Sequence, residues 1–296
     1  MLLATGRLLG LEDRQTLKAA TGLGGGIGHE GDTCGALTGG ILSLGLFYRD
    51  DDYHRLYRDC AEYYRRFKMR SGSSKCMDII GVKLNQGYDI RRFFLKGIRC
   101  LKVVFNSIES VFDIIQKPAG GLPSGDRYQI RPPFDTGRFH CAGAVLSRIE
   151  PQINLNLASI LKISRGFSGG IAFQGDICGA LMGGVLALGT IYGTALQNTK
   201  PIRLLKVGLV AMQQGSRVFQ NEDLHPSFRA SLRVSRLYRE FVSQFGNPNC
   251  TEILGKANKS KNSHFCEEIA QSTSDLTLDL INDSAEKTQS DALHKS

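Results

Sequence analysis

Gly166-Phe-Ser-Gly-Gly-Ile-Ala-Phe-Gln-Gly-Asp-Ile-Cys178-Gly-Ala-Leu-Met-Gly-Gly-Val-Leu-Ala-Leu-Gly189-Thr-Ile-Tyr192 decides the reading of this chain, because it occurs twice. Gly22-Leu-Gly-Gly-Gly-Ile-Gly-His-Glu-Gly-Asp-Thr-Cys34-Gly-Ala-Leu-Thr-Gly-Gly-Ile-Leu-Ser-Leu-Gly45-Leu-Phe-Tyr48 aligns with it without a gap, and more than half of the positions are identical. A match of that length and density is an internal duplication. A second block follows in the same order in each copy. Tyr64-Arg-Arg-Phe67 and Lys75-Cys76-Met-Asp-Ile-Ile-Gly81 correspond to Tyr238-Arg-Glu-Phe241 and Asn249-Cys250-Thr-Glu-Ile-Leu-Gly255.

The duplication divides the chain into a first module at 1–115 and a second at 139–281, which carries an insertion near 193–226. Between them, 116–138 contains Lys117-Pro-Ala-Gly-Gly-Leu-Pro-Ser-Gly and Arg131-Pro-Pro, helix-breaking sequence that reads as a linker. Residues 282–296 are dominated by small polar and charged types and are expected to form a disordered tail. Apolar periodicity predicts helices over Phe93–Val111, from Cys141, over Leu157–Gly166, Cys178–Gly189, Ser227–Phe245 and Ser263–Ile281. No alternating strand pattern appears. The expected fold class is therefore mainly α, with two tandem copies of a small helical module built on glycine-rich, tightly packed central helices.

The 296 residues carry a formal charge of +9, eight cysteines and no tryptophan. Basicity alone identifies no partner. The most basic stretch, Arg55–Lys75, sets Leu56, Cys60, Tyr63, Tyr64 and Phe67 at helical spacing, so it reads as an amphipathic helix with a solvated basic face and no nucleic-acid partner is expected. Ile177–Thr199 is long enough to span a bilayer, but its glycines argue for tight packing inside a protein. A membrane association ranks third among the readings. Met1–Gly10 is short and lacks a basic start, so no export signal is expected and the localisation is expected to be cytoplasmic. Cysteines kept in a reducing compartment serve catalysis, redox sensing or metal binding more often than structural disulfides.

Each repeat places a cysteine after Gly-Asp-x and before Gly-Ala-x-x-Gly-Gly. Asp32 and Asp176 are expected to cap a helix whose first turn holds Cys34 or Cys178, where the helix dipole would stabilise a thiolate. Glycines 35, 39 and 45, with 179, 183 and 189, leave a face on which another backbone or a cofactor can approach the cysteine. Cys60 aligns with Val234 and lies on an apolar stripe, so it reads as structural. The six histidines form no equivalent pairs between copies; His140 beside Cys141 and His264 near Cys266 could tune a site. Gly22-Leu-Gly-Gly-Gly-Ile-Gly contains a fragment of a dinucleotide-binding fingerprint, but no strand precedes it and Ser168 breaks the pattern in the second copy.

Cys141, then Cys178-Gly-Ala-x-x-Gly, then Asn-Cys250-Thr-Glu-Ile-Leu-Gly, then Cys266 resembles the redox-active family named for its cysteine pattern, C_GCAxxG_C_C, whose members are typically small bacterial or archaeal proteins. The resemblance implies Cys141, Cys178, Cys250 and Cys266 as site residues. The first module matches less completely: Cys34 and Cys76 take the second and third places, Cys100 is the candidate for the fourth, and the first would fall just before Met1, so either this copy has lost it or the start of the reading frame is placed too late. Four thiolates can hold an iron–sulfur cluster or zinc. Thiol/disulfide exchange with Cys178 as the attacking thiolate is the other chemistry. The cysteine separations choose between neither, and a structural or binding module whose cysteines hold a metal for folding remains an alternative function. The implied partner is a redox protein or molecule that the sequence does not identify, and the two modules are expected to pair within the chain, much as single modules would in a homodimer.

Overall fold

The computed structural model describes residues 1–11, 13–81, 90–117, 140–195, 206–207, 209–210, 213, 218, 221–222, 224–260 and 265–293, with only the helical backbone described for 90–96, 256–260 and 284–293. Its elements are helical. The first module contains α1 (Leu2–Leu9), α2 (Arg14–Ala19), α3 (Gly35–Phe47), α4 (Tyr53–Ser71), α5 (Cys76–Ile80) and α6 (Ile90–Gln116). The second contains α7 (Cys141–Ile153), α8 (Ala158–Ser164), α9 (Gly179–Tyr192), α10 (Pro226–Phe245), α11 (Cys250–Ser260) and α12 (Phe265–Leu293). Among the described residues the only extended pairings are two isolated antiparallel bridges, Thr33 with Lys75 and Ile177 with Asn249. The chain is thus mainly α, with two tandem modules.

The central helices α3 and α9 are apolar on every face, and such helices are stable only when surrounded. In the first module α1, α4 and α6 pack on α3; in the second α7, α10 and α12 pack on α9. The remaining face of each is covered by the other module, α8 lying on α3 and α2 on α9. Glycine makes this exchange possible. A Cβ at Gly45 would lie 2.7 Å from the Ile163 carbonyl oxygen, and one at Gly189 would run into the carbonyl of Ala19. Backbone therefore meets backbone across the module boundary, and neither central helix is complete without its partner module.

Cys60 follows the same symmetry. A Cβ at Gly22 would stand 2.6 Å from a Val234 methyl carbon, and one at Gly166 would stand 3.1 Å from the Cys60 sulfur. Cys60 is fully buried and does the packing work that Val234 does in the other half. On α4, Leu56, Tyr63, Tyr64 and Phe67 are buried with it, as the periodicity predicts.

Several boundaries differ from expectation. The segment expected to be one helix over Leu157–Gly166 divides into α8 and a 3-10 turn at Arg165–Phe167. α9 reaches Tyr192, α6 spans Ile90–Gln116, and α12 continues to Leu293, so helix occupies most of the segment expected as a disordered tail. Small polar residues suppress the periodic signal on an exposed helix end without preventing helix formation. The linker at 116–138 lies outside the described residues apart from its first two positions, as does most of the insertion. Within α9 the stretch weighed as a bilayer span is a 14-residue buried helix, and no helix among the described residues is long and apolar enough to cross a membrane.

Candidate functional site: two cysteine clusters flanking a pseudo-two-fold axis

Asp32 and Asp176 do not cap α3 and α9. The N-cap residues are Cys34 and Cys178 themselves. The residue between aspartate and cysteine is held in an extended bridge, so the carboxylates turn away from the helices toward the axis relating the modules. Lys75 lies at its centre. Its Nζ donates to Asp32 Oδ1 (2.6 Å), Asp176 Oδ1 (2.9 Å) and Asn249 Oδ1 (2.7 Å). Tyr238 of the second module donates to Asp32 Oδ2 (2.6 Å), and Tyr64 of the first donates to Asp176 Oδ2 (2.9 Å). Burial opposes the charge on Lys75, but the two carboxylates outweigh it and hold its ammonium above the ordinary lysine value. Burial likewise opposes ionisation of Asp176, yet the charge of Lys75, with hydrogen bonds from Ser74, Lys75 and Tyr64, holds its carboxyl below the ordinary value.

The same bridges fix the cysteines. Cys34 N–H donates to Ser74 O (2.8 Å) and Cys76 N–H to Asp32 O (2.7 Å); in the second module Cys178 N–H donates to Pro248 O (2.7 Å) and Cys250 N–H to Asp176 O (2.7 Å). Cys76 and Cys250 directly follow Lys75 and Asn249, the bridge residues that meet the central cluster, and Cys34 and Cys178 directly follow the opposite bridge residues Thr33 and Ile177.

A left-handed turn closes each site. Gly25, Gly26, Ile27, Gly28 and His29 all have φ between 59° and 78°, and Gly169 through Phe173 repeat the run with φ between 46° and 74°. Branched Ile27 and Ile171 adopt this region only under compulsion, at about 1–2 kcal/mol each. The turn brings backbone against the second bridge cysteine: a Cβ at Gly26 would lie 2.7 Å from Cys76 Cβ, and one at Gly170 would lie 2.7 Å from Cys250 Cβ.

In the second module all four family cysteines interact. Cys141 opens α7 behind the N-cap His140, whose Nδ1 accepts from Gly143 N–H (2.9 Å) and whose imidazole is pulled down to about 4, by burial first and Arg165 second. A Cβ at Gly179 would come within 2.9 Å of Cys141 Cβ, so the missing side chain next to Cys178 is what admits Cys141. Every thiol is pushed up by burial: Cys266 to about 11, Cys250 to about 12, and Cys178 further, although Leu181 and Ala180 N–H groups favour its thiolate. This corrects the expected dipole-activated thiolate at Cys178, because desolvation outweighs the helix N-terminus. The charge of Cys141 opposes ionisation of each of the other three. Burial raises the Cys141 thiol as well, countered by N–H donors including that of Gly169.

In the first module Cys34, Cys76 and Cys100 line one cavity of about 120 Å³. Burial raises all three thiols, with Cys100 adding to Cys34, and Cys34 and Cys100 adding to Cys76. Gly10 and Asn154 are the equivalent left-handed caps of α1 and α7. His264 lies outside the described residues. No three His, Cys, Asp or Glu side chains among the described residues are arranged to hold a metal ion.

Comparison with known proteins agrees with this duplication. The family described as "Putative redox-active protein (C_GCAxxG_C_C)" matches residues 1–114 and again 139–280. An uncharacterized protein of Archaeoglobus fulgidus is 26% identical over 147 residues, covering 49% of this chain and 85% of the relative. No solved structure matches the chain.

Proposed function

The chain belongs to the C_GCAxxG_C_C family of redox-active proteins, and from that premise we propose that its second module carries out two-electron thiol–disulfide exchange initiated by Cys141. The observation that carries the proposal is the position of Cys141. It sits over the glycine that follows Cys178, and it is half-buried where Cys178 and Cys250 are buried, so a partner disulfide reaches it before them. A thiolate is the nucleophile in such exchange, and the backbone N–H of Gly169 favours that of Cys141. Cys141 attacks one sulfur of a partner disulfide, the partner's S–S bond breaks, and the departing thiolate takes the proton that Cys141 gave up. Cys178 then attacks the Cys141 sulfur, closing an internal disulfide and releasing the partner's second thiol. The partner disulfide gains two electrons; Cys141 and Cys178 lose them. Cys250 and Cys266, within electrostatic reach of Cys141, are alternative resolving thiols.

The pattern also evokes a cluster or zinc held by four thiolates. No such ligand set is arranged among the described residues, and the proposed exchange uses the thiols.

The test is a thiol titration on full-length protein purified without oxygen, before and after equilibration with a small-molecule disulfide. Two thiols are expected to disappear reversibly, with Cys141 in the linked peptide, and Cys141→Ser should abolish the change. Iron, zinc and acid-labile sulfide are measured on the same sample. Stoichiometric metal, or unchanged oxidation in Cys141→Ser, would overturn the proposal.

A further inference from the structure

The first module holds three thiols around a void that the exchange at Cys141 does not use. Cys34, Cys76 and Cys100 face a chamber of about 120 Å³ whose other walls include Ile80, Val103 and Val104, and no charged side chain lines it among the described residues. Cys34 and Cys76 are buried, whereas Cys100 is half-buried and forms the outer wall. A water molecule occupies about 30 Å³ of liquid, so the chamber has room for a short chain of sulfur atoms. It is well below the roughly 300–1,000 Å³ of pockets that hold cofactor-sized ligands. Apolar walls disfavour a hydrated ion, and the three sulfurs do not form a metal-ligand set. A dry chamber with an outer thiol to accept a sulfur atom and inner thiols to displace it is suited to sulfane sulfur.

We propose that the first module takes sulfane sulfur from inorganic polysulfide, holds it as a cysteine persulfide in the chamber formed by Cys34, Cys76 and Cys100, and releases it as sulfide. The Cys100 thiolate attacks the terminal sulfur of the polysulfide. One S–S bond of the donor breaks, and the donor departs one sulfur shorter with the bonding electron pair and the proton lost by Cys100. No net oxidation occurs in this transfer. Cys34 or Cys76 then attacks the Cys100 sulfur, the bond to the outer sulfur breaks, and hydrosulfide leaves. That sulfur gains two electrons and the two cysteines lose them in forming a disulfide, which a protein dithiol afterwards reduces by exchange. Cys100 is the natural acceptor because it is half-buried at the outer wall, where a polysulfide arriving from solvent meets it before the two buried thiols.

This inference does not rest on the exchange proposed for the second module, and its test is run in a full-length Cys141→Ser chain so that the two fail separately. Reduced protein is incubated with sodium tetrasulfide without oxygen and desalted. Cyanide-labile sulfur, released sulfide and free thiols are then measured, and persulfides are located by peptide mass. The parent is expected to bind sulfur on first-module peptides and to release sulfide as two thiols are lost. Cys34→Ser combined with Cys76→Ser should retain persulfide on Cys100 without releasing sulfide, and Cys100→Ser should take up only background sulfur. Val104→Phe keeps all three thiols and fills the chamber, so uptake should fall while helicity and total thiols stay unchanged. Undiminished uptake in Cys100→Ser or in folded Val104→Phe, or sulfur found only on second-module peptides, overturns the proposal.

Discussion

Replacing Lys75 with Met should destabilise both modules together, by an amount that depends on pH in a direction the structure fixes. The change keeps most of the aliphatic stem and removes the ammonium from between Asp32 and Asp176, whose side chains are 8% and 4% exposed. Removing one partner from a buried ion pair typically costs about 3–5 kcal/mol, because the charge left behind stays desolvated. Two carboxylates are left here, with Tyr238 and Tyr64 still donating to them, so the expected loss at neutral pH lies within that range. In the parent, Asp176 titrates below its ordinary value, so its contribution is present above the usual carboxylate range and is lost as pH falls through the depressed value. Lys75 titrates above the ordinary lysine value of 10.5, so its contribution is present below that value and is lost as pH rises through the folded one. In the variant, two facing carboxylates without a cation take up a proton more readily than either would alone. The gap between parent and variant should therefore be widest near neutral pH and narrow as the solution is acidified. Urea unfolding followed by circular dichroism, repeated across that range, measures it. A loss under about 1 kcal/mol, the value of an ordinary surface pair, or a gap that does not change with pH, would refute the argument.

Two further substitutions test the packing and the strained turn. Cys60→Val should change stability by less than about 1.5 kcal/mol in thermal or urea unfolding, as a near-isosteric apolar swap into the role Val234 plays at the symmetric position; a larger loss would mean that the thiol has a polar role. Gly170→Ala introduces a Cβ 2.5 Å from the Asp176 carbonyl oxygen and 2.7 Å from Cys250 Cβ, at a φ of 74°. It should cost about 1–3 kcal/mol and accelerate alkylation of Cys250 by a small thiol reagent, and unchanged alkylation would show that the turn does not shield that thiol.

The two modules and their central helices were legible because duplication repeats the whole Gly-Asp-x-Cys-Gly-Ala frame, and because α3 and α9 are apolar on all sides, a pattern that only complete burial satisfies. The role of the aspartates was not. A short polar side chain two residues before an apolar helix has the appearance of a cap, and nothing local reveals that Thr33 and Ile177 are held extended by bridges to Lys75 and Asn249. The partners that redirect Asp32 are Lys75, 43 positions away, and Tyr238, 206 positions away, so the central cluster exists only once the modules have paired. Cys141 was visible as the leading cysteine of the pattern, but its place beside Cys178 depends on Gly179 admitting it.

The left-handed turns show why the placing of the thiols is a property of the fold. Ile171, Ala172 and Phe173 all occupy a region that side chains avoid, and a stretch read by propensity alone would never be placed there. The turn is held by Asp176 N–H donating to Gly170 O (3.0 Å) and Gly175 N–H to Gly169 O (3.1 Å), while Gly169 N–H supports the Cys141 thiolate. Asp176 is thus engaged three ways: its N–H closes the turn, its carbonyl receives Cys250 N–H, and its carboxylate meets Lys75 of the other module. Strain at the turn, the position of the cysteines and the pairing of the modules are then parts of one connected structure, and both copies keep it. A change at the axis should consequently be felt at the thiols. The same Lys75→Met protein, examined for Cys141 reactivity under conditions where it remains folded, should react at a different rate from the parent, whereas an axis that served only to join the modules would leave that rate unchanged.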